Sequence, residues 1–411
     1  MKQPSKRLIG PFKEIITMSE APMKGALAED ALGVIPKGGV LIEDSQIIEV
    51  GAFKNLKSKA DQVDLIKGDH ILMAGLIDSH THICFGGSRA GDYAQRVAGK
   101  TYQEILKNGG GIHDSVNKTR AASESDLTDL VKMRAKRHLE EGVTTIEVKS
   151  GYGLSVEEEI KMLKAIQSAN SLVPADLIST CLAAHVCPKE FDDHATYLDH
   201  IVENLFPQLK EQNLTNRIDI FTEDGAFDTD LSAKYLAKAK EAGFEITVHA
   251  DQFTSGGTQV AVEAGALSAD HLEATSDENV QLLANSETVA TVLPGASLGL
   301  GMHYSPARKL LDAGCCLAIA TDWNPGSAPM GDLLIQTALM GAFEKLSIPE
   351  CIAGITYRAA KALNLSDRGR IKAGHLADLI SFPVSDHREI FYQQGKIKPD
   401  GVWKGGVRVV G

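Results

Sequence analysis

Short apolar runs alternate with amphipathic stretches through most of this chain. Eight of the runs predict strands: Leu76–His82, Val143–Lys149, Leu177–His185, Ile218–Glu223, Glu245–His249, Ala266–His271, Thr288–Leu293 and Cys316–Asp322. Their β-branched content and length favour strands over buried helical turns. The stretches between them predict helices, among them Ser155–Asn170, Thr229–Ala242, Ser276–Ala284 and Ser305–Ala313. Each starts on Ser or Thr, the residues that cap helix N-termini. Strand–helix alternation implies parallel pairing with helices outside, and eight such units in roughly 250 residues match an α/β fold of the (β/α)8 TIM barrel type. An open doubly wound sheet is the competing architecture. It normally carries a glycine-rich phosphate loop after its first strand, and Gly109-Gly110-Gly111 does not follow a strand in that way.

The two ends have a different texture. Val40–Val50, Ala377–Phe382 and Gly401–Val410 alternate apolar and polar residues around glycine and polar turns. This predicts a small β-sandwich-like domain built from both termini, residues 1–72 with 365–411, flanking a barrel over 73–364. The longest connection between barrel strands, from about Ile83 to Gly142, contains a helical stretch at Asp126–Glu141. Long loops at the strand C-termini are where barrels build substrate sites.

Composition narrows the class. Of 411 residues, 43% are hydrophobic, enough for one large domain and a smaller one. Basic residues number 42 against 54 acidic, a formal charge of −12. That balance disfavours nucleic acid and anionic membranes as partners and leaves room for a small anionic substrate in a local basic pocket. Six cysteines, none in a Cys-x-x-Cys pair, suit a reducing cytoplasm better than a disulfide framework. Neither a signal-type apolar region near the N-terminus nor an apolar run of transmembrane length is expected.

The chemistry gathers at the predicted strand ends. The first strand ends in Asp78-Ser79-His80-Thr81-His82, and two histidines spaced i, i+2 on extended backbone point to one side. Lys149, His185, Glu223, His249, His271 and Asp322 close six of the other seven strands. In a barrel these ends converge on one face. His80, His82, His249 and Asp322 form a donor set for zinc or iron, with open positions for water. His271 is placed to polarise a carbonyl or move a proton, and Asp322 to serve as ligand and proton acceptor. Arg89, seven residues beyond His82, suits a substrate carboxylate. Tyr152 and His185 are placed to hydrogen-bond a polar ring. Lys149 and Glu223 are expected to pair inside the mouth, and a lysine on the second strand disfavours a lysine-bridged two-metal site.

Together these residues resemble the amidohydrolase superfamily and, within it, the imidazolonepropionase family. Gly75–His82 and Gly374–Leu379 resemble superfamily-wide motifs. Phe85–Arg89, Glu147–Leu154, Val248–Gln252 and Thr321–Ser327 are similar to the narrower family. The resemblance implies hydrolysis of the cyclic amide C–N bond of 4-imidazolone-5-propanoate to N-formimidoyl-L-glutamate, the third step of histidine degradation, with a water on the metal as nucleophile. It implies one Zn2+ or Fe3+ per chain on His80, His82, His249 and Asp322, and a homodimer. It implies substrate contacts from Arg89, Tyr152, His185, Gln252, Asn324, Gly326 and Ser327. Related deaminases carry glutamate at the position of Gln252. Glutamine cannot take a proton, so the general-base role shifts to Asp322 or His271. An aminohydrolase of a nitrogen heterocycle is the alternative enzyme, and it would lack its acid here. A non-catalytic scaffold would be expected to lose metal ligands, and this chain keeps all four.

Overall fold

The computed structural model describes residues 5–101, 104 and 108–411. Five strands come first: β1 (Arg7–Ile15), β2 (Ile35–Glu43), β3 (Gln46–Ala52), β4 (Gln62–Leu65) and β5 (Ile71–Ala74). Then follow β6 (Leu76–Asp78), β7 (Val143–Lys149), β8 (Asp176–Ala184), β9 (Arg217–Thr222), β10 (Glu245–Ala250), β11 (Ser268–His271), β12 (Val289–Val292) and β13 (Leu317–Ile319). The chain ends with β14 (Leu379–Phe382), β15 (Gly401–Lys404) and β16 (Val407–Val410).

Strands β6 to β13 pair in sequence order, every neighbour parallel, to form the expected (β/α)8 barrel. Strands β7, β11 and β12 are buried along their whole length. That double-sided burial fits the mostly apolar β12, while β7 and β11 also carry buried polar residues. Side-chain caps from Ser155, Asp193, Asp228 and Ser276 fix the starts of helices packed around the barrel. Ser123 and Asp126 add a full capping box on helix Glu124–Glu140. Each cap satisfies an amide that the helix leaves unpaired.

The barrel closes differently from the way it propagates. Strands β6 and β13 are shorter than their sequences predict, and the seam between them lies mostly beyond their ends. Thr81 and Trp323 form a parallel bridge, with His82 N donating to Trp323 O at 2.9 Å and Asp322 N to His80 O at 3.0 Å. Below that bridge a side chain replaces the ladder. The Asp78 carboxylate accepts from Thr321 N at 3.0 Å and from Thr321 Oγ1 at 2.6 Å. His138, on helix Glu124–Glu140, brings Nε2 to 3.2 Å from the same carboxylate. Asp78, His138 and Thr321 are all fully buried. Arg137 and His138 both pack on the Trp323 ring, at 4.2 Å and 4.8 Å between centres.

The remaining strands form one eight-stranded sheet from both ends of the chain, in the order β16-β15-β14-β5-β1-β2-β3 with β4 on β1. The two ends meet where β5 pairs antiparallel with β14, Ile71 opposite Phe382 and Ala74 opposite Leu379. Only Gly75 separates β5 from β6. A Cβ there would lie 2.4 Å from Thr144 Oγ1, so no side chain fits where the chain passes from sheet to barrel. Asp378 locks this junction: its carbonyl accepts from Gly75 N at 2.9 Å, and its carboxylate takes Lys404 Nζ at 2.7 Å and Gly405 N at 2.8 Å. Lys404 also reaches Asp176, at the start of β8, at 2.8 Å. The sheet therefore braces the N-terminal end of the barrel and leaves the C-terminal mouth free. All six cysteines are free thiols. Among the described residues no helix is long and apolar enough to cross a membrane.

Asp78→Ala should strand Thr321 and His138 without an acceptor at the seam. The expected loss is about 3 kcal/mol, the range for removing one partner of a buried charged network, read as a lowered urea midpoint at unchanged slope.

Candidate metal centre and active-site cavity

Four side chains converge where the barrel closes. His82 Nε2 lies 3.3 Å from His80 Nε2 and 3.3 Å from His249 Nε2. Asp322 Oδ1 lies 3.3 Å from His82 Nε2 and 3.6 Å from His80 Nε2. The tautomers follow from the opposite sides of the rings. His80 Nδ1 faces Asp270 Oδ2 at 2.7 Å, and His249 Nδ1 faces Asp219 Oδ2 at 2.9 Å. Each of those nitrogens carries its proton toward a carboxylate, so both Nε2 atoms present lone pairs to a shared point. Lone pairs packed this closely repel unless a cation lies between them. Ring nitrogens at these separations can each reach an ion at roughly 2 Å, the normal zinc–imidazole distance.

Electrostatics keep the rings in ligand form. Burial, then the Lys149 charge, pulls His82 down to about 3 and holds His80 well below its ordinary range. Burial also lowers His249 to about 4, although Asp219 pulls the other way. Asp322 is pushed up by burial. His271 behaves oppositely to the ligands. Burial opposes its charging, but Glu273 at 3.5 Å and then Asp322 and Asp270 outweigh burial and raise its pKa.

The structure overturns the expected pairing of Lys149 with Glu223. Lys149 points into the barrel and is 1% exposed, with Nζ 2.8 Å from Glu147 Oε1, 2.8 Å from Asp219 Oδ2 and 3.9 Å from Asp270 Oδ2. Adding carboxylate to that amine would set new negative oxygens against buried acids, so Lys149 is no metal-bridging lysine. Glu223 instead caps the loop after β10, accepting from Phe253 N at 2.8 Å and from Thr254. A side chain inside a parallel barrel alternates with outward neighbours, and Lys149 falls in register with the inward row.

Above the ligands lies a cavity of about 870 Å³. Every residue named from the sequence as a substrate or catalytic group lines it: Arg89, Tyr152, His185, Gln252, His271, Asp322, Asn324, Gly326 and Ser327. Arg89 holds Asp92 Oδ2 through Nε at 2.8 Å, and its Nη1 packs against Gly326 so closely that a Cβ there would sit 2.2 Å away. His185 donates from Nδ1 to Gly151 O at 3.0 Å and stacks on His82, leaving Nε2 as an acceptor toward the cavity. Burial lowers its pKa to about 3, so the ring stays neutral. The Asn324 amide is committed within its own loop: Nδ2 donates to Asp322 O at 2.7 Å and Ser327 Oγ at 2.9 Å, and Oδ1 accepts from Gly326 N and Ser327 N. Several of these strand ends carry backbone strain. Asp251, His271, Leu272 and Asp322 all have positive φ, at 55°, 89°, 70° and 52°. Such conformations persist only where surrounding contacts over-determine them, and they cluster at functional sites.

Comparison with known proteins places this geometry. A model of the amidohydrolase family matches residues 71–409. A Fusobacterium nucleatum imidazolonepropionase is 40% identical over 385 residues, covering 92% of this chain and 92% of that protein. One from Bdellovibrio bacteriovorus is 37% identical over 413 residues, covering 98% and 96%. The chain belongs to the imidazolonepropionase family of amidohydrolases. Among solved structures, a triazine hydrolase variant superposes with a TM-score of 0.77 at 17% identity, covering 99% of this chain and 95% of that one. A Xanthomonas campestris adenosine deaminase with bound zinc gives 0.72 at 15% identity, covering 99% and 93%. These two likenesses show the shared fold.

The geometry also puts weight on residues with no predicted role in the sequence. Asp270 and Asp219 face the Nδ1 atoms of His80 and His249, and Glu147 accepts from Thr81 N, the amide between His80 and His82, at 3.2 Å. Their signal was available: a carboxylate inside an apolar strand that pairs on both sides must face the barrel interior. Glu159 gave no such signal. It is wholly buried and gathers the amides of Gly151, Gly153 and Leu154 at 3.0, 2.8 and 2.8 Å, which shapes the loop carrying Tyr152.

If the four groups form one site, elemental analysis of purified wild type should find about one zinc or iron per chain, and His249→Ala should fall close to none. Full metal retention in that variant would remove His249 from the donor set.

Proposed function

We propose that this chain hydrolyses 4-imidazolone-5-propanoate to N-formimidoyl-L-glutamate. Its reaction opens a cyclic amide and belongs to histidine degradation. The observation that carries this reading is the combination of the near-full-length family match with a three-histidine, one-carboxylate cluster beneath a cavity that also holds Arg89.

His80, His82, His249 and Asp322 would hold the ion, and three imidazoles with one carboxylate accept Zn2+ or Fe3+. When bound, such an ion supplies Lewis acidity and a nucleophile drawn from water at neutral pH. The protein does the rest. Arg89 takes the propanoate tail through the guanidinium nitrogens that Asp92 leaves free. Tyr152 and the His185 Nε2 acceptor hold the ring between them, and Gln252 orients it through its amide. The Asn324 network fixes the loop that presents Gly326 and Ser327 to the tail. Asp322 directs Oδ1 at the histidines, while Oδ2 lies 3.5 Å from Ser327 Oγ. That second oxygen accepts the proton of the attacking water as the new C–O bond forms at the ring carbonyl carbon. His271, beside Glu273, stabilises the oxyanion. The ring C–N bond then breaks, Asp322 returns the proton to nitrogen, and the new carboxyl group gives up the second water proton to the basic formimidoyl nitrogen to become a carboxylate. Gln252 needs no proton at any step, which separates this reaction from deamination, where an acid must protonate a departing amine.

The deciding measurement is turnover of freshly prepared 4-imidazolone-5-propanoate by metal-loaded protein, with product identified by mass. No ring opening at one ion per chain would end this reading. Arg89→Met should raise KM by about 10- to 100-fold, the value of one charge-assisted contact. His271→Ala should lower kcat by about 100- to 1,000-fold with metal content unchanged. Unchanged turnover would remove His271 from the mechanism.

A further inference from the structure

The proposed reaction leaves one buried charge without a role. Lys149 is 1% exposed, faces away from the cavity and touches no position a substrate could occupy. A lone ammonium in such a place is costly, and its retention needs a reason. Its three neighbours supply one.

Each acid around Lys149 leads to a different part of the donor set. Glu147 holds Nζ at 2.8 Å with Oε1, and with Oε2 accepts from Thr81 N, the amide between His80 and His82. Asp219 Oδ2 lies 2.8 Å from Nζ and 2.9 Å from His249 Nδ1, so one oxygen joins the ammonium to the ring. Asp270 Oδ2 lies 3.9 Å from Nζ and 2.7 Å from His80 Nδ1. The backbone closes the circuit, with Lys149 N donating to Thr81 O at 2.9 Å. All three acids are buried to within about 1%. Without a cation among them they would repel each other and turn away, and the rings they face would lose that support.

We infer that Lys149 is the positioning residue of the metal centre: its ammonium holds the Glu147, Asp219 and Asp270 carboxylates in place, and through them fixes the orientation of the histidines that would hold the ion. It touches neither ion nor substrate. This rests on the metal reading above, and the test separates the two.

The experiment uses full-length protein stripped of metal, then measured for Zn2+ affinity by competition with a chromophoric chelator at one fixed pH. Wild type and Lys149→Met are compared, both verified as folded by circular dichroism. K149M is expected to bind Zn2+ about 10- to 100-fold more weakly, the usual effect of losing support behind metal ligands. The visible bands of Co2+-loaded K149M should also shift, because the ligand geometry changes. A purely structural lysine would lower the melting temperature of the metal-free protein and leave Zn2+ affinity and the Co2+ spectrum as in wild type; that result overturns the inference. Should K149M not fold, K149M/E147Q, with one uncompensated acid fewer, is measured against E147Q with the same expectation and the same overturning result. Wild type that binds no Zn2+ would overturn the metal reading itself, whatever the variant does.

Discussion

The contact between Asp78 and Thr321 governs the placement of nearly everything functional. A barrel of eight parallel strands must join its first strand to its last, and here the regular ladder stops short of that seam. Two hydrogen bonds accepted by one buried carboxylate take its place. The consequence is local and severe. His80 and His82 follow Asp78 by two and four residues, and Asp322 follows Thr321 by one. The separation between the paired histidines and the acid is thus set by a single side-chain contact and the short backbone bridge above it. Trp323, covered by Arg137 and His138, keeps the outer side of that bridge from opening.

Charge is the second constraint. The centre of the barrel buries Lys149, Glu147, Asp219 and Asp270 together, where each alone would be costly. Ion pairing with Lys149 lets these acids stand directly behind the histidines, where apolar packing would leave both ring faces free to turn. The cavity side has the opposite requirement. There, neutral His185, Arg89 and the Gln252 amide line the space a ligand would fill. The barrel therefore separates polar groups that hold position from polar groups that meet substrate.

Most of this arrangement was legible in the sequence, for identifiable reasons. Strand β7 was found to the residue because an apolar run buried on both faces has sharp ends. Helix starts were legible at Ser155 and Ser276 because capping serines mark them. The clustering of His80, His82, His249 and Asp322 was legible because all four lie at the ends of predicted strands. What failed was partner choice. Lys149 and Glu223 sit at the ends of strands two positions apart in the barrel, and spacing says nothing about which way each turns. Lys149 faces inward among three acids, whereas Glu223 turns to satisfy loop amides. Loop-internal work was hidden too: Asn324 looks like a free ligand group in sequence, and only three dimensions reveal that its amide is already engaged.

The sheet formed by both termini has a consequence for synthesis. Strand β5 has one neighbour, β1, close behind it, but its other neighbour is β14, with Ile71 opposite Phe382. During translation at ~5–20 residues per second, that edge waits roughly 15–60 s for its partner to be made. An unpaired apolar edge of this kind is a template for pairing with other chains. The shortness of β5, four residues ending at Gly75, limits what a stray strand could grip in that interval. The same pairing makes the last strands the step that seals the base of the barrel, so a chain cut short before Leu379 would carry His80, His82, His249 and Asp322 and still lack the brace beneath them.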